Sequence, residues 1–187
     1  KANNVNGRSS FFDLDSLFGK GPDSKEHGHL YKKSDKGEPI FIIGNAANID
    51  GDLHRDEDFI AQIPEGRNDE NIIVASIHLL FQKFHNKLIV ENGLAFEQAK
   101  KAVILHYQSV VVNDYLVRVV GRNTINDILS NGRKIYTPKT KKGIFMPTEF
   151  SAACYRFGHS MVRDKYSFNN NFNNNFKDSN LDLFNSK

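Results

Sequence analysis

The feature that most constrains the fold is a run of apolar residues at helical spacing in the middle of the chain. Seven apolar residues recur there, mostly at steps of three and four positions: Ile72, Ile73, Ile77, Leu80, Phe81, Phe84 and Leu88. This spacing aligns side chains along one side of an α-helix, so it predicts an amphipathic helix over about residues 68–91. Gly93 follows and is expected to end it.

Further helices are predicted downstream. One covers about residues 96–120 with Gly121 as its stop, and a short one covers residues 123–129. Thr148 can cap a third long helix over residues 149–162. Upstream, the apolar run at residues 40–43 fits a strand, and turn residues recur through most of residues 1–66. The fold class that follows is mainly α.

Composition restricts the class of protein. The 187 residues are 39% hydrophobic and 25% charged, which is ordinary for a globular domain. A formal net charge of +3 from scattered basic residues does not indicate nucleic-acid binding. The single cysteine, Cys154, excludes an internal disulfide, and no apolar stretch reaches the length of a membrane span. The chain begins at Lys1 without a signal-peptide pattern, so we expect a piece of a longer polypeptide and assign no compartment.

One candidate site centres on His159. It follows Gly158 on a largely apolar predicted helix, with Arg156 about one turn earlier. A flat, apolar, anionic cofactor requires a neutral nitrogen ligand, a neighbour too small to block it and a cation for its carboxylates. Taken alone, a histidine in such a helix is more often a hydrogen-bonded core residue than a ligand.

A second pattern places Arg67 and Glu70 three positions apart at the start of the predicted helix, on one face of it. The simplest interpretation is a structural one, an ion pair with acidic groups favourably placed at the positive end of the helix dipole. Further along, His78 and His85 are seven positions apart on one helix face. Because helical metal pairs usually lie four apart, this spacing permits metal binding only weakly.

A third pattern lies near the N-terminus, where oxygen-bearing side chains alternate along a short loop. Such a loop suits a hard cation, which binds side-chain oxygens and a carbonyl between them. An Asx-type turn explains the same spacing. The positions concerned are Ser9, Phe11, Asp13 and Asp15.

These three segments, in this order, resemble the animal-type haem peroxidases of the peroxidase–cyclooxygenase superfamily. The resemblance covers roughly residues 9–163, and bacterial members, which lack the mammalian disulfides, are the most similar. It implies a mainly α haem-peroxidase helical core, of which this chain is a single partial domain. Its parts are a loop-rich region with the calcium-type loop (1–66), a helical core (67–163) and an Asn-rich tail (164–187).

The resemblance also implies residue roles. His159 would bind the haem iron, Arg156 a haem propionate, and Arg67 would assist O–O cleavage on the distal side. Glu70 can form an ester with a haem methyl group. The implied cofactors are haem b and calcium, the latter bound by Ser9, Phe11, Asp13 and Asp15.

The implied activity is a peroxidase that uses hydrogen peroxide to oxidise small donors or halides. A cyclooxygenase-like fatty-acid dioxygenase is disfavoured, because Arg156 occupies the position of its radical tyrosine and Tyr155 is rotated by about 100° around a helix. The family's distal histidine lies upstream of the calcium loop and has no counterpart before Ser9. We therefore expect a missing distal segment on the same or another chain. The alternative is a catalytically incomplete haem-binding or structural fragment.

Overall fold

Helices dominate the structure, as the sequence predicts. The computed structural model describes residues 11–45, 48–136, 146–163, 165–166 and 181–182. The α-helices are α1 (Asp15–Phe18), α2 (Ile72–Val90), α3 (Phe96–Val110), α4 (Leu116–Val120), α5 (Arg122–Asn131) and α6 (Thr148–Ala152). Tighter 3₁₀ segments cover Gly28–Leu30, Gly66–Asp69 and Cys154–Met161, and a π-helical segment covers Val111–Tyr115.

The strands of the described part form short antiparallel pairs. They are β1 (Tyr31–Lys33) with β2 (Pro39–Phe41), β3 (Ile43–Asn45) with β4 (Asn48–Leu53), and β5 (Lys165–Tyr166) with β6 (Leu181–Asp182). The single strand predicted over residues 40–43 is therefore divided between β2 and β3. The break falls at Ile42, whose amide donates to Leu30 O at 3.0 Å instead of joining a ladder.

The chain separates into two compact units, Lys1–Ser109 with Leu183–Lys187, and Val110–Asp182. In the first unit the core gathers around aromatic rings, with Phe18, Phe41 and Phe96 packed about the imidazole of His85. Two predictions remain untested by this fold: that residues 1–187 form a single partial domain, and that the bacterial members of the family that the sequence resembles are the most similar. The Asn-rich tail lies almost wholly outside the described residues.

Helix α2 begins later than predicted. The side chain of Asn71 accepts a hydrogen bond from the amide of Val74 at 3.0 Å and so forms the N-cap, which places residues 68–70 outside the helix. The predicted stop is confirmed, because Gly93 takes a φ of 70° just beyond the last turn. At its C-terminal half the helix is tied to β2 by Asn86. Its carboxamide accepts from Phe41 N and donates to Phe41 O, both at 2.8 Å.

The downstream helices follow the sequence pattern with two changes. Residues 96–120 are helical as predicted and end at Gly121, but the π-helical segment interrupts them. The prediction of one long α-helix over residues 149–162 is wrong. The α-helix ends before Ala153, whose φ of −122° and ψ of −70° lie outside the α region, and a 3₁₀-helix follows. Pro147 occupies the N-cap position that we expected for Thr148.

Within the described residues, no helix is both long and apolar enough to cross a membrane.

Candidate active site

His159 lies in the 3₁₀ segment Cys154–Met161, which we call the His159 helix. Because a 3₁₀-helix has about three residues per turn, side chains three positions apart point the same way. Arg156 and His159 therefore share a face more closely than they would on the predicted α-helix. The imidazole of His159 is exposed and makes no hydrogen bond to any residue that the structure describes. Its ring nitrogens are available to a ligand.

Gly158 leaves open space beside this imidazole. Its φ does not lie in the left-handed region, so the backbone does not require glycine here. A Cβ placed on it would meet no atom within 4 Å, so packing among the described residues does not require glycine either. A flat group could therefore approach the backbone closely next to His159.

Arg156 supplies a cation on the same face. Its Nε donates to Ser151 O at 3.1 Å, and no carboxylate in the described part of the chain forms an ion pair with it. Around it the His159 helix presents apolar side chains to solvent, with exposed fractions of 48–68%: Phe157, Tyr155 and Met161. The arrangement can offer hydrogen bonds to an anionic group at the edge of an apolar surface.

Arg67 lies in the 3₁₀ segment Gly66–Asp69, which we call the Arg67 turn. Its ion-pair partner is Glu65, whose carboxylate accepts from Nε and Nη2 of Arg67, both at 2.9 Å. These hydrogen bonds and the charge of Glu65 raise the pKa of Arg67, with a smaller contribution from the charge of Glu70. The guanidinium remains 71% exposed and permanently cationic.

Neither Glu70 nor Arg67 lies on α2, although the sequence predicted both at its start. Glu70 is the exposed residue that ends the Arg67 turn, where its amide donates to Arg67 O at 3.4 Å. The prediction that both residues lie at the start of this helix is wrong, because the Asn71 cap separates them from it. Arg67 and Glu70 belong to the first unit, and Arg156 and His159 to the second.

Sequence reasoning did not predict the side-chain contacts of the Arg67 turn. Asp69 receives two hydrogen bonds from Arg55, each at 2.8 Å, and Asp52 binds the same guanidinium at 2.6 Å. Asn68 donates from Nδ2 to Nδ1 of His78 at 3.0 Å. The acidic N-cap Glu65 was the one local signal for the partner of Arg67, whereas Arg55 is fourteen positions from Asp69 and His78 is ten positions from Asn68.

The predicted calcium loop is described only in part, since Ser9 lies outside the described residues. Asp13 accepts a hydrogen bond from the amide of Asp15 at 3.2 Å, around Leu14 at a φ of 56°. This is the local Asx-type contact that we named as the alternative. In the described part of the chain, no three His, Cys, Asp or Glu residues are grouped to hold a metal ion. The calcium site stays a prediction.

Comparison with known proteins decides the family. A sequence model of the animal haem peroxidases matches residues 1–186. This chain belongs to the animal haem peroxidase family. Membership confirms the predicted resemblance and the mainly α fold class, and it implies a haem cofactor.

Individual family members are distantly similar to this chain. A peroxidase-like protein of Margaritifera margaritifera is 28% identical over 115 residues, which are 52% of this chain and 14% of that protein. Chorion peroxidase of Aedes aegypti is 26% identical over 54% of this chain and 14% of its own length. Thyroid peroxidase of Rattus norvegicus is 23% identical over 84% of this chain and 19% of its own length. The chain thus spans less than one fifth of the length of each of these relatives.

The residues on the His159 helix fit the haem of this family. A haem needs an accessible nitrogen ligand, an unobstructed approach for the ring and a cation for its propionates. His159, Gly158 and Arg156 meet these three needs, and the exposed apolar side chains around them match an apolar macrocycle.

Proposed function

We propose that this chain is part of a haem peroxidase that uses hydrogen peroxide to oxidise small donors or halides. The observation that carries the proposal is the open backbone of Gly158 next to the exposed imidazole of His159. Neither conformation nor packing accounts for glycine there, whereas a flat cofactor does. Family membership supports the same cofactor and the same class of reaction.

We assign His159 as the proximal ligand, which would hold the haem iron through a ring nitrogen. Arg156 would hold a propionate through guanidinium nitrogens that its bond to Ser151 does not use. When bound, haem supplies the redox-active iron that takes oxidising equivalents from peroxide. The 3₁₀ spacing aligns Arg156 with His159, and no tyrosine takes that position. This disfavours a radical dioxygenase.

We assign Arg67 as the distal hydrogen-bond donor, which would stabilise negative charge on a peroxide oxygen and so assist O–O cleavage. A permanently charged guanidinium stabilises such charge without a change in its own protonation. Glu65 orients it through two hydrogen bonds. Glu70, exposed at the end of the same turn, is the proposed partner for an ester with a haem methyl group. Forming this ester would break one methyl C–H bond and remove two electrons, which hydrogen peroxide would accept as it is reduced to water.

The remaining parts of the proposal are a calcium ion and a general base. Ser9, the carbonyl of Phe11, Asp13 and Asp15 are the proposed calcium ligands, because oxygen donors in a short loop suit this cation. The group that moves the peroxide proton would come from an upstream segment on the same or another chain.

Haem titration tests the proximal assignment. We expect saturable binding with a histidine-ligated Soret spectrum, which His159→Ala abolishes and His106→Ala, at another exposed histidine, leaves intact. Gly158→Val should weaken binding by about tenfold or more through a steric clash with the ring, without changing the far-UV circular dichroism. Equal binding by the wild type and His159→Ala would refute the assignment.

A peroxide reaction tests the distal assignment. In the haem-loaded chain, Arg67→Leu should lower the rate constant for reaction with hydrogen peroxide by about 100-fold, the usual cost of one charge-stabilising donor. Arg118→Leu is the control, because Arg118 is equally exposed and pairs with Asp114 on another helix. Haem binding without any reaction with peroxide would favour the alternative of a catalytically incomplete haem-binding fragment.

A further inference from the structure

We propose that Arg55 and His78 are positioning residues that hold the Arg67 turn, and with it the guanidinium of Arg67, in one place. The inference rests on the proposed role of Arg67, but it concerns two residues, Arg55 and His78, that have no part in the proposed function. The Arg67 turn has four residues. A 3₁₀ segment of this length has little stability of its own, so its position must be set by side-chain contacts.

The first contact is a two-pronged ion pair. Nη1 and Nη2 of Arg55 each donate to one carboxylate oxygen of Asp69 at 2.8 Å, and the two side chains are only 14% and 12% exposed. Nε and Nη2 of the same guanidinium bind Asp52, while Nη1 also donates to Phe59 O at 3.0 Å. A guanidinium held on both edges has a fixed plane, so Asp69 is fixed with it.

The second contact joins the turn to α2. Nδ2 of Asn68 donates to Nδ1 of His78, whose side chain is 5% exposed. Since an amide nitrogen only donates, Nδ1 of His78 is the acceptor and the ring is neutral. Burial lowers the pKa of His78 to about 4, so it remains an acceptor at neutral pH.

The three polar side chains of the turn therefore bind three different parts of the first unit. Arg67 pairs with Glu65 just before the turn, Asn68 with His78 on α2, and Asp69 with Arg55 after β4. This arrangement fixes the turn relative to a helix and a strand at once. A charge-stabilising donor must be held to within about 0.5 Å of its productive position, and these contacts provide that restraint.

The test separates positioning from simple stabilisation. Arg55→Lys keeps the charge but loses the two-pronged geometry, and His78→Leu removes the acceptor. Each should speed amide hydrogen exchange at Asn68 and Glu70 by about tenfold, as expected for the loss of a charged or buried hydrogen bond, while the interior amides of α2 keep their protection. His78→Asn, which retains an acceptor near the position of Nδ1, should restore part of the protection.

Arg118→Lys is the matched control, because it makes the same substitution in an exposed arginine–aspartate pair. If Arg55→Lys or His78→Leu does not fold, Asn68→Ala is used as the test variant instead. It removes only the hydrogen bond to His78, from a residue that is partly buried. Unchanged exchange at Asn68 and Glu70 in the folded variants would overturn the proposal. An equal rise throughout α2 would also overturn it, because the contacts would then serve global stability alone.

A double-mutant cycle links the turn to the reaction. Arg55→Lys should lower the peroxide rate constant in the haem-loaded chain by about tenfold when Arg67 is present and should have no further effect in Arg67→Leu. Additive effects would overturn action through Arg67. If Arg67→Leu alone leaves the rate unchanged, the proposed role of Arg67 fails, and the exchange measurement still decides whether the turn is held by Arg55 and His78.

Discussion

His85 is fully buried among three phenylalanine rings, whose centroids lie 5.1–5.4 Å from its own: Phe18, Phe41 and Phe96. Its Nε2 has no hydrogen-bond partner in the described part of the chain. Burial lowers its pKa to about 4, and the nearby charge of Lys100 acts in the same direction. His78, on the same helix, has a pKa lowered to about 4 by burial as well.

The lowered pKa values of His78 and His85 predict how the free energy of unfolding depends on pH. Both pKa values lie near 4 in the folded chain and near 6.5 in the unfolded chain, so the unfolded chain binds more protons in between. Stability is complete above about pH 6.5 and is lost as the pH falls toward 4. The full loss is on the order of 3 kcal/mol per histidine.

Urea unfolding between pH 7 and pH 4.5 measures this dependence. His85→Leu, which places an apolar side chain of similar size among the three phenylalanine rings, should remove about half of this dependence, since His78 contributes the rest. His106→Leu, at an exposed position, should not. The same slope in the wild type and in His85→Leu would mean that His85 titrates normally in the folded chain.

Candidate site residues could be predicted only where they lie together in a local sequence motif. The ligand role of His159 was predicted from the consecutive residues Arg156 to His159, and it stays a prediction. Arg55 and Asp69 are fourteen positions apart, and nothing in either neighbourhood indicates the other. Their pairing depends on how β4 and α2 meet, which no local pattern encodes.

At the scale of elements, the most buried side of α2 is shifted from the apolar pattern that predicted the helix, although Phe81, Phe84 and Leu88 of that pattern pack against the core. Ile77 and Leu80, two residues of the apolar pattern, are 52% and 63% exposed. The buried side instead contains three polar residues, each with an atom that lacks a partner among the described residues: His78, Gln82 and His85. The periodicity located the helix correctly, but it could not reveal which side is the most buried.

Gln82 offers a test of this buried side. Its Oε1 has no partner among the described residues, and an unsatisfied buried acceptor costs about 1–3 kcal/mol. Gln82→Met, of similar shape, should therefore raise the free energy of unfolding by about 1 kcal/mol. Gln82→Glu should lower it, since it buries a charge at the same place. Chemical denaturation of the two variants measures both effects, and destabilisation by Gln82→Met would show that Oε1 is satisfied in solution.

Element boundaries were the least predictable part of the fold. The Asn71 cap moved the start of α2 past Arg67 and Glu70, although an asparagine before an apolar run is itself a capping signal. The change from α6 to the His159 helix carries no such signal. A 3₁₀-helix repeats every three residues and an α-helix every three or four, so a pattern over so few residues does not distinguish them.

At the scale of the whole molecule, the fold class and family followed from the sequence, whereas the exposed apolar surface did not. The second unit presents apolar residues around His159 to solvent, among them Tyr155 and Met161. Larger exposed apolar patches usually mark a binding surface. Haem that covers them should stabilise the folded chain by about 3 kcal/mol at one hundred times its dissociation constant.

Thermal unfolding at increasing haem concentration measures this stabilisation, and the fluorescence of a dye that binds apolar surfaces should fall in parallel. His159→Ala should lose both responses. An equal rise in the melting temperature of His159→Ala would show that haem adsorbs to the apolar surface without ligation.

The contact between Asn86 and Phe41 has a consequence for the chain in concentrated solution. A carboxamide carries the same donor and acceptor as a peptide group, and here it occupies both backbone groups of one residue on the outer edge of β2. An open strand edge is a template on which a second molecule can add a strand. With both backbone groups of Phe41 already paired to the Asn86 side chain, a second molecule could add a strand at this residue only by displacing that carboxamide.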